Sequence, residues 1–262
     1  MAVFDPKATD YNPQNALWLG EAAAVAYEDA TAVQGAFAGW EVRLLSDPKT
    51  DTEGFVAGNG HMVVITFRGT EPKDIRDWLT DAEVVLVNGP GGKVHSGFYT
   101  RVLAIWPKLL NALEGLKKSG QTLWITGHSL GAGLATVAAA MLLKEKVVGS
   151  INGLYTFGQP RTGDPAFAIW FDGLMRERTF RFVNNNDIVT HVPLPPLYRH
   201  VGTFLYFDEE GNLQTDEGFW TMLKDAFEGE AKRLLNGDLA PDAIEDHFMK
   251  SYLACLGKNA DK

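Results

Sequence analysis

The chain has 262 residues, 45% of them hydrophobic and 22% charged, with 27 Gly, 12 Pro and a single Cys. That is ordinary globular composition, which excludes a disordered, collagen-like or disulfide-stapled chain and leaves ample length for a sizeable core. A formal charge of −9 argues against a nucleic-acid or anionic-membrane partner. Arg176, Arg178 and Arg181, the nearest thing to a basic patch, alternate with Thr179, Phe180 and Phe182 and read as the solvated edge of a strand.

Met1 to Tyr11 lacks the apolar run of a signal peptide, and the lone Cys255 has no internal partner, so a cytoplasmic protein is expected. No repeat or linker marks a boundary, which makes residues 1–262 one expected domain. The spacing predicts a helix over Ala16 to Glu28 after Asn12 and Pro13, then strands over Trp40 to Leu45 and Gly54 to Ala57. Met62 to Phe67 reads as a strand buried on both faces. Val84 to Val87 and Lys93 to His95 flank a hairpin loop, Asn88 to Gly92. Apolar residues from Phe98 to Leu116 step by three and four, predicting a helix over Ser96 to Lys118. Strands over Leu123 to Thr126, Gly153 to Phe157 and Thr179 to Val183 alternate with helices over Leu130 to Lys146 and Ala166 to Met175. Leu130 to Leu143 is too short to span a bilayer and reads as a buried helix. Phe204 to Phe207 and Leu213 suggest a hairpin, and helices are expected over Glu217 to Leu235 and Phe248 to Leu256. The alternation places the chain in the α/β class, with a mostly parallel central sheet and helices on both faces.

Gly127-His128-Ser129-Leu130-Gly131 falls between a predicted strand and a predicted helix, where the pattern G-x-S-x-G forms a nucleophile elbow. The turn requires a positive φ at Ser129, and the flanking glycines let strand and helix approach. A serine hydroxyl needs an imidazole to take its proton and a carboxylate to orient that imidazole, and in α/β-hydrolase-like folds both follow the serine. Asp187, in the polar loop after Thr179 to Val183, is the preferred acid, with Asp164 and Asp172 as rivals. His247, expected at an exposed junction before the last helix, is preferred over His191 and His200 as base. His128 should point away from the site. The backbone N–H of Leu130 and a donor from Thr70, just after Met62 to Phe67, are the expected oxyanion hole.

Phe67-Arg68-Gly69-Thr70, Val94-His95-Ser96-Gly97-Phe98, Gly127 to Ala132, Phe157 to Gly163 and Asn185-Asn186-Asp187-Ile188-Val189 resemble, in order and spacing, the class 3 (fungal-type) lipase family of the α/β-hydrolase superfamily. The resemblance implies a triacylglycerol lipase or related carboxylesterase working through Ser129, His247 and Asp187, with Thr70 and Leu130 as oxyanion hole and no cofactor or metal. It also implies a lid just after Thr70, and Ile75, Trp78 and Leu79 supply an apolar helical face there. The expected partner is an acylglycerol or other lipid ester at an oil–water interface. Phospholipase A1 or short-chain esterase activity is the alternative within this chemistry, and a non-catalytic lipid-binding module is the alternative outside it.

Overall fold

The computed structural model describes residues 1–71, 75, 85–214 and 244–261. The helix expected over Glu217 to Leu235 lies outside those residues, as do Trp78 and Leu79. Strands β1 (Glu41–Asp47), β2 (Thr52–Gly58) and β3 (Met62–Phe67) pair antiparallel. β3 is then followed across the sheet by β6 (Thr122–His128), β7 (Gly153–Phe157), β8 (Thr179–Asn184) and β9 (Thr203–Phe207), all parallel, with β10 (Leu213–Gln214) antiparallel at the far edge. A separate hairpin of β4 (Leu86–Gly89) and β5 (Gly92–His95) precedes the helix α3 (Ser96–Leu116).

Period-two alternation of buried side chains divides the core in two. Val63, Ile65 and Phe67 of β3 and Leu123 and Ile125 of β6 pack with α3, α4 (Leu130–Lys144) and α5 (Pro165–Met175). Met62, Val64 and Trp124 face the opposite side, against α1 (Pro13–Val25), α2 (Ala30–Ala36) and α6 (Met249–Asn259). Both faces are covered, as a parallel sheet of this kind requires.

Several boundaries differ from the sequence reading for local reasons. α1 starts three residues early because the Asn12 side chain accepts the Asn15 N–H at 3.0 Å and Pro13 occupies the first turn. The short α2 was not foreseen; its seven residues bury only Val33, too little to show a period. The expected loop Asn88 to Gly92 shrinks to a turn at Pro90 and Gly91, because Gly91 takes φ +72° and lets Gly89 and Gly92 pair.

The solvated-edge reading of the arginines is overturned at Arg181. β8 is an interior strand, so Arg181 is only 7% exposed, with its guanidinium 4.4 Å from the centre of the Phe204 ring. Burial, with Arg161 nearby, pulls its pKa down to about 9. Arg161 donates to the carbonyls of His191 and Pro193, and the His200 Nε2 donates to the Thr190 carbonyl at 2.9 Å. Desolvation holds the pKa of His128 at about 3 and of His191 at about 4, and that of His200 well below its ordinary value.

An unfolded chain protonates these three histidines near 6.5, whereas the native protein keeps them neutral to much lower pH. Native stability is therefore full above about 6.5 and declines as pH falls toward 4, by up to about 1.4 kcal/mol per pH unit for each histidine. Thermal unfolding followed from pH 7.5 to 4.5 should show the midpoint falling with pH, and His200→Gln should flatten the slope. An unchanged slope in that variant would mean His200 titrates alike in both states.

Candidate active site at the sheet edge

β6 runs straight into α4 through Ser129, whose φ of 58° and ψ of −130° lie outside ordinary L-residue space. A strained non-glycine residue of this kind costs about 1–3 kcal/mol and persists where its surroundings over-determine it. The surroundings are explicit: the Ser129 N–H donates to the Phe157 carbonyl at 2.9 Å, and its own carbonyl accepts the Ala132 N–H at 2.9 Å. Its hydroxyl makes no capping bond to α4, so the serine does not merely start the helix. A Cβ on Gly131 would lie 2.8 Å from the Arg68 backbone, and one on Gly69 would lie 2.6 Å from the His128 carbonyl. Glycine at both positions thus lets the loop after β3 press against the elbow.

Thr70 follows Gly69 and lines a cavity of about 540 Å³, together with Tyr27, His128, Phe248 and the fully buried Ile75. Leu130 opens α4, where first-turn N–H groups have no intrahelical acceptor and the helix dipole is positive. The two expected oxyanion donors therefore lie just past the ends of neighbouring strands, β3 and β6, which pair in parallel from Met62 and Thr122 to Phe67 and Gly127.

Asp187 sits three residues beyond β8 and is fully buried. Its carboxylate accepts the His247 Nδ1 at 2.9 Å from each oxygen, the Tyr252 hydroxyl at 2.5 Å and the Val189 N–H at 2.9 Å. Burial alone would raise the carboxyl pKa, but the charge and hydrogen bond of His247 and the Tyr252 hydroxyl outweigh it and hold the group below its usual value. The same burial and the adjacent Asp187 charge push the Tyr252 phenol well above its ordinary range. Gly158, at φ +60°, leaves the room: a Cβ there would lie 2.8 Å from both the His247 ring and Asp187 Oδ2.

His247 is fully buried, not exposed as its position before the last helix had suggested. It is held because Asp246 is clamped beside it. The Asn184 side chain donates to the Asp246 carbonyl at 2.9 Å, and the Asn185 side chain and Asn186 N–H donate to its carboxylate at 2.9 and 3.2 Å. The rivals have other work. Asp164 caps α5 through the Phe167 N–H, Asp172 accepts the Gly202 N–H, and His191 and His200 lie in the buried cationic region around Arg161 and Arg181.

The His128 ring stands 4.7 Å from the His247 ring, so the residue preceding Ser129 lies directly against the imidazole. Ser129 Oγ and His247 Nε2 are both buried, and neither makes a hydrogen bond among the described residues. The expected serine–imidazole bond is thus not formed in this state. Such bonds are often long without substrate and tighten in the reacting complex. Tyr252 and Tyr27 were missed by sequence reasoning; their roles come from tertiary contacts that no spacing encodes. Among the described residues, no group of His, Cys, Asp or Glu is arranged to hold a metal ion, and no helix is long and apolar enough to cross a membrane.

Residues 64–196 match the family described as lipase (class 3). The chain is 39% identical over 154 residues to a lipase of Rhizomucor miehei, covering 55% of this chain and 41% of that one. It is 27% identical over 252 residues to a triacylglycerol lipase of Arabidopsis thaliana, covering 71% and 48%. The chain thus spans less than half the length of these two relatives. A solved structure of the Rhizomucor miehei triacylglyceride lipase superposes with a TM-score of 0.61 at 28% identity, over 74% of this chain and 79% of that one. A solved structure of a triacylglycerol lipase, described as having a serine-protease triad as its catalytic centre, superposes with a TM-score of 0.62 at 30% identity over 74% of this chain and 79% of that one. By the family match and by its fold, the chain belongs to the class 3 lipases.

Proposed function

We propose that this protein hydrolyses carboxylic esters of the acylglycerol class through Ser129, His247 and Asp187. The observation that carries the reading is the buried Asp187–His247 pair, packed against His128, the neighbour in sequence of a serine held at positive φ. Asp187 accepts the Nδ1 proton, which leaves the His247 Nε2 unprotonated and able to take the Ser129 proton as Oγ attacks the ester carbonyl. The imidazolium so formed is stabilised by the Asp187 charge. Negative charge on the carbonyl oxygen is met by the N–H of Leu130 and by Thr70. His247 then protonates the leaving alcohol, and a water activated by the same imidazole releases the acid from the acyl-enzyme.

The cavity beside Thr70 has apolar walls from Ile75, Phe248, Met249 and Leu253, which suit an acyl chain. The related proteins include triacylglycerol lipases and secreted mono- and diacylglycerol lipases, which supports a glyceride substrate. Ser129, Asp187 and His247 are each 0% exposed, so an ester reaches the serine only after the packing around it opens.

A fluorophosphonate probe should label the wild-type protein, faster with detergent or emulsified lipid than in buffer, and should fail to label Ser129→Ala. Absent labelling of folded wild-type protein under both conditions would favour a non-catalytic lipid-binding module. Asp187→Asn should lower kcat by about three to four orders of magnitude, because the imidazole loses its tautomer and its counter-charge. Near-normal turnover in that variant would reassign the acid. A p-nitrophenyl ester series set beside emulsified glycerides separates the substrates: preference for acetyl esters would demote the acylglycerol assignment to short-chain esterase.

A further inference from the structure

Three loops must be held in register for the proposed reaction: the elbow, the loop after β3, and the segment carrying His247. One chain of contacts, two hydrogen bonds and a close packing at Gly69, touches all of them. The His247 carbonyl is 2.7 Å from the His128 Nε2, and a carbonyl only accepts, so Nε2 carries the proton. The neutral His128 ring then has Nδ1 as an acceptor, and the Tyr27 hydroxyl, 2.7 Å away, donates to it. The Tyr27 oxygen in turn packs against Gly69, where a Cβ would lie 2.2 Å from it. Both donors point the same way: Tyr27 O–H to His128, His128 N–H to His247.

We propose that Tyr27 and His128 are positioning residues that lock the main chain of the base beside the nucleophile. This rests on the ester-hydrolase reading above. Asp187 fixes the His247 ring at Nδ1, but a ring held at that atom alone still pivots about the bond and swings Nε2 across the face of Ser129. The His128 bond to the His247 carbonyl removes that freedom, and because His128 adjoins Ser129 in the chain, nucleophile and base become parts of one unit. The chain also explains why the elbow carries a histidine at this place. Its side chain must accept on one side, donate on the other, and remain uncharged when buried. Desolvation and the neighbouring His247 hold its pKa at about 3, so it stays neutral through the working pH range. The packing of Gly69 on the Tyr27 hydroxyl sets the loop that carries Thr70 against the same unit.

Two readouts test this. With 15N-labelled histidine, two of the six rings, those of His128 and His200, should show a neutral state protonated at Nε2 and constant from pH 5 to 8, and one of the two should be absent in His128→Gln. In Tyr27→Phe the Nδ1 signal of that ring should shift as its donor is lost. In kinetics on a soluble p-nitrophenyl ester, His128→Leu should lower kcat by at least about tenfold with KM nearly unchanged, since the lost quantity is aim and not binding. His128→Gln, whose amide still donates to the carbonyl, should recover most of that loss, and Tyr27→Phe should fall between the two. A His128 ring protonated at Nδ1 would overturn the proposal, and so would wild-type kcat in Tyr27→Phe. If His128→Leu fails to fold, Tyr27→Phe and the tautomer measurement still decide. An inactive wild-type protein would sink the hydrolase reading, whereas the tautomer measurement judges the hydrogen-bond chain independently.

Discussion

A carboxylate with no access to water has to be neutralised by its neighbours, and Asp187 meets that requirement with an imidazole, a phenol and a backbone N–H. Removing any one partner would leave buried charge under-satisfied, at a cost of several kcal/mol for the worst case. The local architecture follows from this. Gly158 has no side chain because the His247–Asp187 pair needs the space, Tyr252 comes in from α6 with its hydroxyl forward, and the Asn184–Asn186 run turns around to clasp Asp246. The last helix is thereby tied to the end of β8, where the Asn184 N–H meets the hydroxyl of Tyr252, 68 positions further on.

A second constraint is steric. The elbow works only if β3, β6 and the start of α4 come closer than side chains permit, and Gly69 and Gly131 supply the clearance. What that closeness delivers is electrostatic: two candidate hydrogen-bond donors, just past the ends of neighbouring strands, beside one strained serine. Preorganised donors of this kind typically account for several kcal/mol of transition-state stabilisation, because they do not reorganise as charge develops. The strain at Ser129 is thus coupled to the close packing that holds the donors in place.

Much of this was legible in the sequence because it is local. A buried six-residue β run at Met62 to Phe67, a helix with three-and-four spacing from Phe98, and G-x-S-x-G between a strand and a helix each depend on neighbours only a few positions away, and the structure places them where expected. The misreadings share the opposite character. Arg181 looked like an edge residue because its charge was visible, whereas the parallel pairing of β9 on the far side of β8 was not. His247 looked exposed because the asparagines that clamp it are 61 or more positions away. Tyr252 and Tyr27 carried no signal, since a tyrosine on an amphipathic helix has the same appearance whether its hydroxyl meets water or a buried carboxylate. The serine–imidazole contact differs again: the order of the motifs pointed to both partners, and the structure leaves the two atoms unbonded to each other.

The central claim is that the Asp187–His247 pair delivers an unprotonated Nε2 to Ser129 Oγ once a substrate-like group is present. A crystal structure of the protein covalently modified by a long-chain phosphonate ester tests it directly. The account predicts phosphorus bonded to Ser129 Oγ, the His247 Nε2 within hydrogen-bonding distance of a phosphonate-bound oxygen, and the phosphoryl oxygen accepting from the Leu130 N–H and Thr70. A phosphonate carried by another residue, or an imidazole that stays outside hydrogen-bonding distance of the adduct, would contradict it.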